Sequence, residues 1–210
     1  MLIYEFCRII VFLVYRLLFR YEAYGMEHIP DQGAVLLCAN HISNWDPPFV
    51  GLPVKRPINY MAKEELFRIP ILRTVIRTLG AFPVKRGASD KKAIRTALEK
   101  LANGEVVLIF PEGTRSKTGK LGKGYPGSGF IALKEECTVI PTAIIGPYRL
   151  FRKVKIYFGP PIPLDDLRSE KAGRLEAELA TERIMEGIRH LLVNHQPHHS
   201  SNGTSLGNSV

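Results

Sequence analysis

The chain has 210 residues, 45% hydrophobic and 23% charged, which is enough for one α/β domain with a full core and excludes wholesale disorder. Its 29 Lys and Arg against 20 Asp and Glu give a formal charge of +9, so the partner is anionic: a membrane surface, a phosphorylated substrate or nucleic acid. Nucleic acid is set aside, because the cations are scattered, no zinc-finger spacing occurs and aromatic residues are not interleaved with basic ones. Cys7, Cys38 and Cys137 are an odd, widely spaced trio in apolar segments, which suits free thiols in a reducing cytoplasm.

Residues 1–20, MLIYEFCRIIVFLVYRLLFR, have neither the positive n-region nor the small-residue cleavage site of a signal peptide. Their longest charge-free run, residues 9–15, is far short of the roughly 20 apolar residues that a membrane span needs. At 100° per residue Glu5, Arg8, Arg16 and Arg20 share an arc of about 120°, and Ile, Leu, Val, Phe and Tyr fill most of the remainder. The pattern predicts an amphipathic helix over residues 1–24 that lies in a membrane interface with its arginines near lipid phosphates. The same helix packed on the protein's own core is the alternative.

Beyond the polar GMEHIPDQG, short apolar runs alternate with helical patterns. Strands are predicted over residues 34–39, 58–62, 106–110 and 139–145, with an edge strand over 154–158. The clearest helix covers 90–101: Ser89 or Asp90 caps it, Ala93, Ile94, Ala97, Leu98 and Leu101 share a face, and Asn103-Gly104 stops it. A closing helix covers 170–193, with Leu175, Leu179, Met185, Ile188 and Leu192 as its apolar side. This rhythm implies an α/β fold with a mainly parallel sheet flanked by helices, formed by a single domain over residues 25–193. The polar, low-complexity residues 194–210 read as a disordered tail. His195, His198 and His199 lie there without a nearby carboxylate or thiol, so no metal is expected.

Nucleotide motifs match badly. GKGYPG, residues 122–127, fits G-x-G-x-x-G but follows no strand directly and has no acid about 20 residues later. Gly113 and Gly119 with Lys120 have the wrong spacing for a P-loop, and Pro126 replaces the first glycine of a nucleophile elbow around Ser128.

Ligands of open α/β sheets bind at the carboxyl ends of the strands, so the residues that follow each run matter most. The first run leads into LLCANHISNWDPP with Asn40, His41 and Asp46, the third into PEGTRS, and the apolar GAFPV into Lys85 and Arg86. Asp46 precedes Pro47, which makes it a natural N-cap with Pro47 at the first helical position and residues 41–45 in a turn. A regular helix would separate His41 and Asp46 by about 140°, so only such a turn lets them pair. Paired, they are an imidazole and an orienting carboxylate, a triad without a Ser or Cys motif to complete it. The substrate then supplies the hydroxyl, His41 deprotonates it, and Arg86 and Arg115 hold a phosphate on the same molecule. The competing reading makes Asp46 a simple cap and His41 a satisfied turn residue. Cys38 reads as a core thiol rather than a covalent nucleophile.

NHISNWD resembles the first signature, N-H-x-x-x-x-D, of the glycerolipid acyltransferase family. FPEGTRS is similar to the third, with Glu112, Gly113, Thr114 and Arg115 in place; GAFPVKRG resembles the second and VIPTAIIG the fourth. All occur in family order between Asn40 and Gly146, and the short chain is most similar to the bacterial branch that acylates lysophosphatidic acid. The resemblance implies an acyltransferase domain over residues 25–193 that moves an acyl group from an acyl carrier protein or coenzyme A thioester to the sn-2 hydroxyl of 1-acyl-sn-glycerol-3-phosphate. It implies His41 as general base, Asp46 as its orienter, Arg86 and Arg115 facing the phosphate, and Glu112 supporting the site beside Asn40, Gly113 and Thr114. Lys63 matches a basic position between the first two blocks, and equally reads as a solvated lysine at a helix start. No cofactor beyond the thioester co-substrate is implied, and the expected location is the cytoplasmic face of the cell membrane, peripheral or monotopic. The alternatives are another acceptor, glycerol-3-phosphate or a different lysophospholipid, or a non-catalytic peripheral lipid-binding module. Two departures stand out: the glycine-rich residues 117–130, and Pro83 where a β-branched residue is usual.

Overall fold

The computed structural model describes residues 2–85, 90–169 and 173–195, built around a seven-stranded sheet. Its strands are β1 (Arg20–Tyr24), β2 (Val35–Ala39), β3 (Ile58–Lys63), β4 (Ala81–Val84), β5 (Val106–Ile109), β6 (Thr138–Ile145) and β7 (Lys153–Phe158). They lie in the order β1-β7-β6-β2-β5-β3-β4, and every pairing is parallel except β6 with β7. Helices α1 (Leu2–Leu18), α2 (Asp46–Gly51), α3 (Pro70–Thr78), α4 (Lys91–Ala102), α5 (Gly127–Lys134) and α6 (Arg174–His195) complete the mainly parallel α/β architecture implied by the alternation.

The sheet is covered on both faces, which is why its central strands are apolar runs rather than alternations. Leu36, Cys38, Val107, Ile109, Val139 and Ala143 share one core with the inner sides of α4, α5 and α6. Val35, Leu37, Ala39, Leu108, Ile140 and Ile144 share the other with Phe49 of α2 and with Tyr15 and Phe19 at the end of α1. Asp90 caps α4 as the sequence suggests, its carboxylate accepting from the Lys92 and Ala93 amides. The carboxyl ends of β2, β3, β4, β5 and β6 meet at one end of the sheet, where the chain also enters β7 and, after α1, β1.

Four expectations change. The helix stops at Leu18, and residues 20–24 become β1, pairing with β7 along Arg20–Lys153 to Tyr24–Tyr157. Arg20 therefore leaves the helical stripe, and β7 is an inner strand because β1 takes the edge. The buried side of α6 is Ala177, Ala180, Thr181, Ile184, Met185, Ile188, Leu191 and Leu192, whereas Leu175 and Leu179 face solvent. Small residues dominate its first turns because α5 comes very close there: a Cβ on Gly129 would sit 2.0 Å from the Ala177 carbonyl oxygen. Finally, α6 continues through Asn194 and His195, two residues assigned to the tail, and His195 stacks on Tyr157 at 3.9 Å between ring centroids. His198 and His199 lie outside the described residues.

Candidate active site

β2 ends at Ala39 and delivers Asn40 and His41 to the crowded end of the sheet, both buried. Asn40 faces β6, donating to the Ile144 carbonyl at 3.0 Å and accepting from the Ile144 amide at 2.7 Å. One side chain thereby ties the first sequence block to the fourth. The next residue turns away from the strand, and His41 Nδ1 meets Asp46 Oδ2 at 2.6 Å. The Ile42 and Ser43 amides donate to the same oxygen at 2.7 and 2.8 Å. Asp46 is fully buried, and four donors converge on it, as a buried carboxylate requires.

The cap reading of Asp46 is corrected by this geometry. Trp45 occupies the cap position, Asp46 is the first residue of α2 and Pro47 the second, and no side-chain cap bond forms. The carboxylate turns back into the preceding turn because two amides and the imidazole offer it more than the start of its own short helix does. A carboxylate accepts only, so Nδ1 carries the proton in this pair, and in the neutral imidazole the lone pair is on Nε2. Among the described residues Nε2 has no hydrogen-bond partner. Phe110 stacks on the imidazole at 4.0 Å between centroids and fixes the ring plane.

The fourth donor to Asp46 is Tyr148, whose hydroxyl reaches Oδ1 at 2.5 Å. Burial and then the Asp46 charge push this phenol well above its ordinary range, so it stays protonated as a donor. Sequence reasoning missed Tyr148. The available signal was GPY immediately after the fourth block, but nothing local marks a tyrosine as the partner of an aspartate 102 residues away.

Glu112 enters from the end of β5, 5% exposed, and works on backbone. Its Oε1 accepts the His41 amide at 3.0 Å and its Oε2 the Gly122 amide at 2.7 Å, while the Ser116 amide donates to the His41 carbonyl at 2.7 Å. The first block, the third block and the glycine-rich loop are thus one connected unit. Gly113, Thr114 and Arg115 are exposed beyond it, and Lys63 at the end of β3 pairs with Glu65 at 3.2 Å. The order β2-β5-β3 puts the ends of β5 and β3, from which these cations follow, on the same side of the β2 end that carries the imidazole. Arg86 lies outside the described residues, and Lys85 precedes it with its amide on Asp90.

The departures have physical reasons. A Cβ at Gly122 would sit 2.9 Å from Glu112 Oε2, and one at Gly124 would sit 2.7 Å from Met185 and Thr181. The loop is glycine-rich because it threads between Glu112 and α6. Pro83 lies on β4, an edge strand, where a missing amide costs no ladder bond on the open side. Cys38 is fully buried, and burial followed by Cys137 raises its thiol well above the usual range, so it is not a nucleophile at neutral pH.

Fold and site together define an α/β protein with a buried imidazole–carboxylate pair at the carboxyl ends of its parallel strands. Residues 20–145 match the family model described as Acyltransferase. The chain is 31% identical over 194 residues to the 1-acyl-sn-glycerol-3-phosphate acyltransferase of Bacillus subtilis, covering 87% of this chain and 96% of that one. It is 32% identical over 139 residues to the enzyme of the same name from Borreliella burgdorferi, covering 63% of this chain and 54% of that one, so it spans about half of that relative's length. The crystal structure of the 1-acyl-sn-glycerophosphate acyltransferase from Thermotoga maritima matches with a TM-score of 0.69 at 28% identity, covering 89% of this chain and 79% of that one. The chain belongs to the acyltransferase family.

Proposed function

We propose that the protein transfers a fatty acyl group from a thioester to the sn-2 hydroxyl of 1-acyl-sn-glycerol-3-phosphate, giving phosphatidic acid. The observation that carries the reading is the His41–Asp46 pair at 2.6 Å with Nε2 left unpartnered and no protein hydroxyl or thiol bonded to the imidazole among the described residues. Nε2 accepts the proton of the sn-2 hydroxyl as its oxygen attacks the thioester carbonyl; the tetrahedral intermediate then collapses, and the imidazolium returns the proton to the departing thiolate. Asp46 holds the Nδ1 proton and offsets the charge that develops on the ring. Arg115, Lys63 and Arg86 are assigned to the acceptor's phosphate, and Glu112 and Asn40 to holding the backbone around the base.

Acyl carrier protein and coenzyme A thioesters are the proposed donors. The thioester is already activated, so a positioned base, typically worth about 10²–10⁴-fold, and the proximity of two bound substrates are sufficient. No helix among the described residues is long and apolar enough to cross a membrane. The outward face of α1, with Ile9, Ile10, Leu13 and Leu17 exposed, supports a role at the cytoplasmic membrane surface, where both lipids reside. The test compares purified protein with His41→Ala in detergent micelles, following labelled lysophosphatidate with each thioester separately. Phosphatidate formation that falls by at least about 10²-fold in the variant is expected; equal rates would remove His41 as the base, and turnover only with glycerol-3-phosphate would reassign the acceptor.

A further inference from the structure

At the edge of the sheet beside α1, Arg20, Pro147, Arg149, Phe151, Arg152 and Lys153 line an open hollow of about 550 Å³. We propose that this hollow binds the phosphate headgroups of anionic phospholipids in a bilayer, as a second membrane contact separate from the substrate phosphate cations. The inference rests on the membrane-surface reading of α1 and adds to it a site with its own lipid preference.

Charge is the first argument. Glu22 is the acidic residue paired in this corner, and it is taken by Lys153 at 2.6 Å and Lys155 at 3.8 Å. Arg20, Arg149 and Arg152 are exposed and have no ion pair among the described residues. Three unpaired guanidinium groups around one hollow repel each other unless an anion joins them, and their forked donors suit phosphate oxygens.

The second argument is what lies between the arginines. Leu150 and Phe151 are 61% and 68% exposed at the tip of the turn. Phe151 has φ 61°, the one non-glycine residue with positive φ among the described residues, a backbone state that costs of order 1 kcal/mol or more. The tip is held there by the Phe151 amide, which donates to the Leu18 carbonyl at 2.8 Å. That bond sets the two exposed apolar side chains beside the end of α1, where Leu13, Val14 and Leu17 also face outward. Cations with apolar residues projecting between them, continuous with an amphipathic helix, match a bilayer interface: arginines at the phosphate level, leucine and phenylalanine among the acyl chains. An acidic protein would satisfy the charges and leave this apolar tip in water. Tyr148, in the same turn, donates to Asp46, so the contact also lies at the end of the sheet that carries His41.

The experiment measures flotation of the full chain with phosphatidylcholine vesicles, alone and with added phosphatidylglycerol. The protein should partition more strongly onto the anionic vesicles. Arg149→Ala with Arg152→Ala should weaken that binding about 25-fold, roughly fivefold per arginine, and leave binding to neutral vesicles unchanged. Leu13→Ser with Leu17→Ser should weaken binding to both kinds, because it acts on α1. An arginine variant that binds anionic vesicles like the parent, or loses equally on both kinds, overturns the proposal. Equal binding of the parent to both vesicles overturns this inference alone, whereas binding to neither removes the α1 reading as well. Intact vesicle binding with lost turnover of acyl carrier protein thioesters in detergent would assign the arginines to an acidic protein partner instead and also overturn it. Unchanged far-UV circular dichroism of the arginine variant separates loss of contact from loss of fold.

Discussion

Asp46 has no exposed surface, so each of its hydrogen bonds decides where the imidazole points. Tyr148→Phe removes the one donor on Oδ1 among the described residues and changes no volume worth mention. Expected is a fall in kcat of about tenfold, some 1.4 kcal/mol in the transition state, with little change in KM for the acceptor and a Tm lower by about 2–6 °C, because a buried carboxylate oxygen loses its donor. Steady-state kinetics beside thermal unfolding check it; a KM effect with kcat intact would make Tyr148 a wall of the substrate site rather than a positioning residue. Cys38→Ser should leave kcat of the folded protein nearly unchanged, and a loss beyond about 10²-fold, some 2.7 kcal/mol, would revive a covalent acyl-enzyme. The pairing of His41 with Asp46 was open to reading in the sequence, because five residues and a proline confine them to one turn. Glu112 was legible as part of a motif, but its two backbone contacts were not, since the Gly122 amide is brought to it only by the path of the loop.

The inner strands could be read because both of their faces are buried and their sequences are unbroken apolar runs. β1 could not: RYEAY carries charge, follows a helix without a breaker and becomes a strand because β7 offers it a ladder. The packing face of α6 was read correctly at Met185, Ile188 and Leu192 and misread only in its first turns, at Leu175 and Leu179, since bulky residues suggest a core while the contact there depends on small ones. Gly129→Ala tests that contact. The new methyl would lie 2.0 Å from the Ala177 carbonyl and 2.8 Å from the Thr181 amide, both backbone atoms of α6 that cannot rotate away. A destabilisation of about 1–3 kcal/mol, seen as a lower urea midpoint at unchanged slope, is expected. A midpoint equal to the parent's would mean that α5 and α6 are free to move apart.

Across the whole molecule, three tyrosines join pieces of chain that are far apart in sequence: Tyr15 of α1, Tyr21 of β1 and Tyr148 of the turn after β6. Each packs its ring on Phe49 of α2, at 4.3, 5.6 and 5.2 Å between centroids. Tyr15 donates to the Trp45 carbonyl and Tyr148 to Asp46, while the Tyr21 hydroxyl is enclosed without a partner among the described residues. Burial raises all three phenols well above their ordinary value, with Asp46 adding to the effect on Tyr15 and Tyr148. The folded state therefore keeps protons that the unfolded state releases above about pH 10, so their contribution to stability is fully present below that pH and falls as pH rises further. Urea unfolding at successive pH values should give a nearly constant free energy from about pH 7 to 8, a shallow fall above about pH 8.5 as the thiols of Cys38 and Cys137 ionise in the unfolded state, and a steep decline beyond about pH 10 from the tyrosines. Tyrosinate absorbance from these three should appear together with the unfolding transition, because α1, β1 and the Tyr148 turn cannot admit water to one phenol without loosening the others. Separate titration of the three in a protein that stays folded would mean that α1 detaches on its own, and the aromatic link between α1 and Asp46 would then be looser than the packing around Phe49 implies.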